Sequence, residues 1–269
     1  MTTHVFRDKV VIISGASSGI GREIALQLAA QGAWPVLAAR RVERLEAVAQ
    51  ACREHGSRTL VVPTDVSRRE HCERLIFRTV EEYGRLDMLI NNAGITMWSR
   101  FEDLYTLEPL EQIMQVNYFG AVYCTHYALP HLRRSRGRLV AVSSLSGKTG
   151  VPVRSGYAAS KHAIVGFFDS LRIELAQSGV SVTLVYPDFV ATETRQRAYG
   201  PDGSALGHSP VQEGAVMSAE TCARLIIEAA ARRERERILS LRGKIGQWIK
   251  LLAPGVIDRI AQRAIQRGR

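Results

Sequence analysis

The 269-residue sequence predicts one α/β domain, a doubly wound parallel sheet of about seven strands flanked by helices, with a basic amphipathic helical extension at its C-terminal end. Three observations carry this. Short apolar, β-branched runs alternate with longer stretches whose apolar residues recur every three to four positions. The short runs lack polar alternation, so both faces of their sheet must be covered. A glycine-rich stretch stands at the first strand–helix junction, and strict strand–helix order then demands right-handed crossovers.

Taken in order, the strand-like runs cover residues 10–13, 35–39, 59–62, 87–90, 138–142 and 181–186, with a weaker seventh near 237–241. Helical periodicity fills 19–31, 42–55, 68–83, 107–133 and 156–177 between them. Two stretches break this rhythm. Residues 195–218 are polar and rich in glycine and proline, which predicts a long loop with room for a short helix, of the kind that serves as a functional lid or is disordered. Residues 243–266 are helical in spacing but interrupted by Pro254-Gly255. The division is therefore residues 1–241 as the main domain and 242–269 as the extension.

Composition excludes several classes. With 46% hydrophobic and 23% charged residues, the chain is neither disordered nor a multi-span membrane protein. Charges within the first ten residues, MTTHVFRDKV, leave no apolar core for an export signal. Cys52, Cys72, Cys124 and Cys222 are widely spaced and form no CxxC pair, which predicts idle thiols in a reducing, cytoplasmic setting. The seven histidines show no metal-ligand spacing, so no metal is expected. The net charge of +10 is concentrated: residues 232–269 hold 11 basic and 3 acidic side chains, a net of +8.

The segment from Gly15 through Ser17, Ser18, Gly19 and Ile20 to Gly21 joins the first strand to the first helix. Glycines there let the backbone turn tightly toward a pyrophosphate, whose charge the helix N-terminus then meets. The next strand ends in Ala39-Arg40-Arg41, with no carboxylate to bond an adenosine-ribose hydroxyl. A guanidinium at Arg40 suits a ribose 2′-phosphate instead, so NADP(H) is expected over NAD(H).

Together with Asp65-Val66, the run Asn91-Asn92-Ala93-Gly94, Asn117, Ser144, and Tyr157 four residues before Lys161, these pieces resemble the short-chain dehydrogenase/reductase family over roughly residues 6–240. The resemblance implies a Rossmann-like fold and an NADP(H)-dependent oxidoreductase that interconverts a carbonyl and a secondary alcohol. It assigns catalysis to Asn117, Ser144, Tyr157 and Lys161. It assigns cofactor contacts to Gly15, Ser17, Ser18, Gly19, Ile20, Gly21, Arg40, Asp65, Val66, Asn91, Ala93, Gly94, Tyr157, Lys161, Pro187, Val190 and Thr192. The chemistry agrees: residues four apart on a helix share a face, and an ammonium beside a phenol lowers a pKa ordinarily near 10. One residue departs from the pattern. The turn reads PDFVAT, with Asp188 where the family has glycine.

The stretch 143–168 most resembles members acting on steroids and other lipid-like ketones, so a small apolar carbonyl or alcohol substrate is expected. The family also implies a homo-oligomer, a dimer or tetramer. The alternative is a non-catalytic NADP(H)-binding sensor or scaffold, against which the complete Asn117–Ser144–Tyr157–Lys161 set argues. Three readings of the basic extension stand: packing on its own domain or a subunit, with its arginines solvated; peripheral contact with an anionic membrane through Trp248 and the apolar stripe; and nucleic-acid contact, for which no recognition motif is present.

Overall fold

The computed structural model describes residues 5–210 and 216–266. The middle of the predicted 195–218 loop and the last basic residues of the extension, Arg267 and Arg269, lie outside the described residues, as does His4. Seven strands form one all-parallel sheet: β1 (Val10–Ser14), β2 (Trp34–Ala39), β3 (Leu60–Pro63), β4 (Met88–Asn91), β5 (Arg138–Val142), β6 (Ser181–Tyr186) and β7 (Glu236–Ile238). Their spatial order is β3-β2-β1-β4-β5-β6-β7. The order reverses between β1 and β4, where crossovers pass to opposite faces and leave a crevice at the carboxyl ends of the strands.

Both faces are covered, as the unbroken apolar runs require. Helices α1 (Gly19–Ala30), α2 (Val42–Glu54) and, later in the chain, α7 (Ala219–Ala231) pack on one face over Ile13, Leu37 and Val185. On the other, α3 (Arg69–Tyr83), α5 (Gly120–Ser135) and α6 (Ser155–Glu174) bury Ile12, Leu89, Leu139 and Phe168. All four cysteines are buried and unpaired, and burial pushes the Cys52 thiol up to about 11.

Two differences from the sequence reading matter. The stretch 107–133 is not one helix: α4 (Glu108–Met114) passes into a π-turn (Gln115–Phe119) before α5 begins. A π-turn inserts one residue and leaves the 3.6-residue pattern nearly intact, so periodicity alone does not reveal it. The extension is two helices, α8 (Leu241–Leu252) and α9 (Pro254–Gln266). Ser240 caps α8, its hydroxyl accepting from Gly243 N at 3.1 Å. The backbone of α8 presses on Leu145, since a Cβ at Gly243 would lie 2.8 Å from that side chain. No helix among the described residues is long and apolar enough to cross a membrane.

Candidate active site

A cavity of about 1820 Å³ runs along the carboxyl ends of β1, β2, β4, β5 and β6. It exceeds the few hundred to 1,000 Å³ of an ordinary small-molecule pocket, and it holds room for a dinucleotide and a second molecule end to end.

Its first end is the glycine turn. Gly15 has φ of +70°, and a Cβ there would meet Ala93 Cα at 2.9 Å. Gly21 is compelled by packing instead, because a Cβ would lie 2.3 Å from Gly15 O. Ser18 precedes α1 without a side-chain capping bond, so the first amides of that helix keep their donors for the cavity. Gly15, Ser17, Ser18, Gly19 and Ile20 all line it, and Thr192 packs over Gly19. Arg40 stands exposed at the rim. Beside it the half-buried Arg41 is pushed below its ordinary pKa by burial and by Arg197, Arg44 and Arg40, while Glu193 opposes. Arg197 donates to Ser18 Oγ at 3.4 Å and also pairs with Glu193, which Arg44 meets at 2.7 Å. Arg44 and Arg197 share the Glu193 carboxylate, while Arg40, Arg41 and Arg197 line the cavity rim, an excess of positive charge suited to an anionic group. The glycines of the turn, the free helix amides and this rim fit the phosphates of a nicotinamide dinucleotide.

Along the middle, Asp65 lines the cavity, its carboxylate held by Ser67 N and Oγ at 3.0 and 2.7 Å. Val66 lies beside it, against Gly120. Ala93 and Gly94 line the cavity, and Ser14 Oγ accepts from Asn92 N and Ala93 N, which ties β4 to β1. The Asn91 side chain turns away from this wall. It does not line the cavity; it is buried and donates to Thr125 Oγ1 on α5 at 3.0 Å. As the last residue of β4 it points to the helix layer, and its neighbour Asn92 reaches the glycine turn, donating to Ser14 O at 2.9 Å.

At the far end the catalytic candidates converge. Tyr157 and Lys161 lie one turn apart on α6, and Lys161 Nζ sits 5.7 Å from the Tyr157 ring centroid and donates to Val142 O at 2.9 Å. Ser144 follows β5, its hydroxyl accepting from Ser146 N and reaching the phenol. Burial pushes the Tyr157 pKa up, but the charges of Lys161 and Arg154 and the bonds from Ser144 and Arg154 outweigh it and hold the phenol below its usual value. Lys161 is itself lowered by burial and by Arg154, against the pull of Tyr157. Asn117 sits in the π-turn, 1% exposed, where its amide accepts from Ile95 N at 2.8 Å and donates to Ile95 O and Ser160 Oγ. Ser160 Oγ in turn donates to Tyr157 O at 2.8 Å, so Asn117 fixes the turn of α6 that carries Tyr157 and Lys161.

Pro187, Val190 and Thr192 line the same wall. Asp188 does not adopt a positive φ, so the turn does not need glycine. Its carboxylate binds Arg242 Nε at 2.5 Å and a second guanidinium nitrogen at 2.8 Å, with Ser240 Oγ and Phe189 N each at 2.9 Å. The residue that departs from the family turn thus clamps α8 to the cavity wall. Sequence reasoning missed this clamp, the meeting of Arg41, Arg44 and Arg197, and Arg154 beside the phenol. A pairing across 54 residues, as for Asp188 and Arg242, or 149, as for Arg44 and Glu193, leaves no local pattern.

A glycine cradle joined to a Tyr–Lys–Ser cluster by one cavity defines a nucleotide-dependent oxidoreductase fold. Residues 9–201 match the short chain dehydrogenase family, and the chain belongs to it. It is 40% identical over 257 residues to 11-beta-hydroxysteroid dehydrogenase 1A of Arabidopsis thaliana, covering 93% of this chain and 73% of that one. To 11-beta-hydroxysteroid dehydrogenase A of Sesamum indicum it is 39% identical over 256 residues, with the same coverage. Its match to the Arabidopsis 11-beta-hydroxysteroid dehydrogenase-like 3 is 45% identical but spans only 60% of that relative. Its backbone resembles that of a short chain dehydrogenase/reductase from Burkholderia phymatum in complex with NAD, with a TM-score of 0.82, 24% identity and coverage of 93% and 95% of the two chains.

Proposed function

We propose that this protein is an NADP(H)-dependent oxidoreductase that interconverts a carbonyl and a secondary alcohol on an apolar, steroid- or lipid-like molecule. The observation that carries it is one cavity with Arg40, Arg41 and Arg197 at one end and the Tyr157–Lys161–Ser144 cluster at the other. When bound, NADP(H) exchanges a hydride with the reacting carbon. The Tyr157 hydroxyl gives its proton to the carbonyl oxygen in reduction, and the phenolate takes the alcohol proton in oxidation. Ser144 hydrogen-bonds the same oxygen as charge gathers there. Lys161 favours the phenolate, and Asn117 positions both residues through Ser160. Leu145, Val151, Phe189, Ile245 and Ile257 give the substrate end apolar walls, and the steroid dehydrogenase names of the relatives support that substrate class.

Titration of wild type and Arg40→Ala with NADPH and NADH tests the cofactor. The expected result is an NADPH preference that collapses toward equality in the variant; equal binding by wild type overturns it. Tyr157→Phe should abolish turnover of ketones while cofactor binding persists, and turnover at the wild-type rate overturns the catalytic reading.

For the extension from residue 242 we propose packing of α8 on its own domain, which the Arg242–Asp188 bonds and Gly243 against Leu145 support, with its exposed outer face as a peripheral membrane contact. Leu241, Trp248, Leu251 and Leu252 are exposed on α8, with Lys244, Lys250, Arg259 and Arg263 exposed around them, the pairing that suits anionic lipid. Flotation of the full chain with anionic but not zwitterionic vesicles, lost on removal of residues 242–269, is the expected outcome. Exposed Phe119 and Ile173 on the α5 and α6 side support a homo-oligomer, which light scattering tests.

A further inference from the structure

The substrate end of the cavity is not uniformly apolar. Arg154, the residue just before α6, lines it beside Tyr157. Its guanidinium carbon stands 4.2 Å from the Tyr157 ring centroid and 5.8 Å from that of Phe189. One nitrogen donates to Thr96 Oγ1 at 2.9 Å, and Nε is buried with no hydrogen-bond partner. The charged or ionisable groups that act on it are Tyr157 and Arg195; no Asp or Glu among the described residues does so. Arg195, buried and donating to Val190 O, lies 5.7 Å from the Phe189 ring.

A guanidinium stays protonated at any working pH; its bond to the Tyr157 phenol meets a negative charge only when that phenol is ionised, and a partly desolvated cation with no carboxylate beside it is costly. The local backbone holds it there at a price. Val153, immediately before it, has φ of +59°, a left-handed conformation that a β-branched residue rarely adopts. Its carbonyl is anchored by Ser99 N at 2.9 Å. Strain of this kind persists where surrounding structure enforces it, and it clusters at ligand clamps.

We propose that Arg154 recognises an anionic group on the substrate. The molecule turned over at Tyr157 is then an amphipathic acid, with a carboxylate within a few bonds of the reacting carbon and an apolar body lying against α8 and α9. This rests on the reading of the cavity as the substrate site of an oxidoreductase and narrows its substrate class. A bidentate fork for a carboxylate is the guanidinium's preferred partnership. The walls beyond it, Leu145, Ile245, Ile249 and Ile257, accept an alkyl or ring body.

Calorimetric titration of the NADPH-loaded enzyme with octanoate and with octan-1-ol tests the proposal without a known substrate. Wild type should bind octanoate about tenfold to hundredfold more tightly than the alcohol, the worth of a charge-assisted bond. Arg154→Gln should bring the ratio to about one, and Arg154→Lys should restore part of it. A site merely loosened by the substitution would lose both ligands together and leave the ratio unchanged. Octanoate binding no tighter than the alcohol, including no binding of either, overturns the proposal. So does an unchanged ratio in Arg154→Gln, even if the pH profile of ketone reduction moves, because the arginine then serves the phenol alone. The oxidoreductase reading falls separately, by survival of turnover in Tyr157→Phe, whichever way the acid-to-alcohol ratio comes out.

Discussion

Replacing Asp188 with alanine or glycine removes the clamp that seats α8 on the cavity wall. Its carboxylate accepts four hydrogen bonds, two from Arg242 and one each from Ser240 and Phe189 N. The Asp188 side chain is 12% exposed and that of Arg242 65%. Solvent around the guanidinium brings the Arg242 share toward the roughly 0–1 kcal/mol of a surface pair. The shielded bonds from Ser240 and Phe189 to a charged acceptor contribute about 1–2 kcal/mol more after overlap. A total of about 2 kcal/mol, roughly thirtyfold, should be lost by α8 alone, because β5 and β6 keep their own packing.

Hydrogen exchange resolves this. Amides of 244–252 should lose protection about thirtyfold in Asp188→Ala while those of β5 and β6 stay unchanged. The clamp is also pH-dependent. Burial raises the Asp188 pKa, but Arg242, Ser240 and Phe189 N more than offset it, so the folded value lies below the ordinary carboxylate one. A depressed folded pKa gives stabilisation that is complete above the unfolded value of about 4 and is lost as pH falls through the folded one. Wild-type α8 should therefore approach the variant's exchange only in acid. Equal protection in the two proteins at neutral pH would refute the reasoning and assign the anchoring to the packing of Gly243 on Leu145 and Ile238 and to the Lys250–Lys148 bond.

Two further outcomes are expected. Gly21→Ala places a methyl 2.3 Å from Gly15 O; the turn must shift, and nicotinamide cofactor affinity should fall by more than about tenfold while the melting temperature drops by several degrees. In the oxidation direction, where phenolate is the active form, the rate should rise with pH and level off below the ordinary tyrosine pKa of about 10. The limb should move upward in Lys161→Met, since Lys161 is the foremost group lowering the phenol, and an unmoved limb would assign the titration to another group.

How far the sequence alone carries depends on whether a feature is local. Strand runs such as 138–142 and the glycine turn declare themselves because burial and tight turning act on consecutive residues. Tyr157 and Lys161 are legible because a helix puts positions four apart on one face. Asn117 is legible as a residue but not as geometry. The π-turn that aims its amide at Ile95 and Ser160 adds a single residue to a helix, which a 3.6-residue pattern absorbs. For Asn91 and Asn92 likewise, only the pleat decides which amide lies toward the cavity and which meets Thr125. Asp188 is the most instructive. Its departure from the family turn is visible at once, whereas the reason stands 54 residues downstream in Arg242, in a segment that sequence reading treats as a separate extension. Much the same holds for Arg154: Tyr157 is only three residues on, but Thr96 and the Phe189–Arg195 loop come from distant segments. The chemistry common to the family is therefore written in short local patterns. The α8 clamp, by contrast, is written in a pairing between distant segments that only folding brings together.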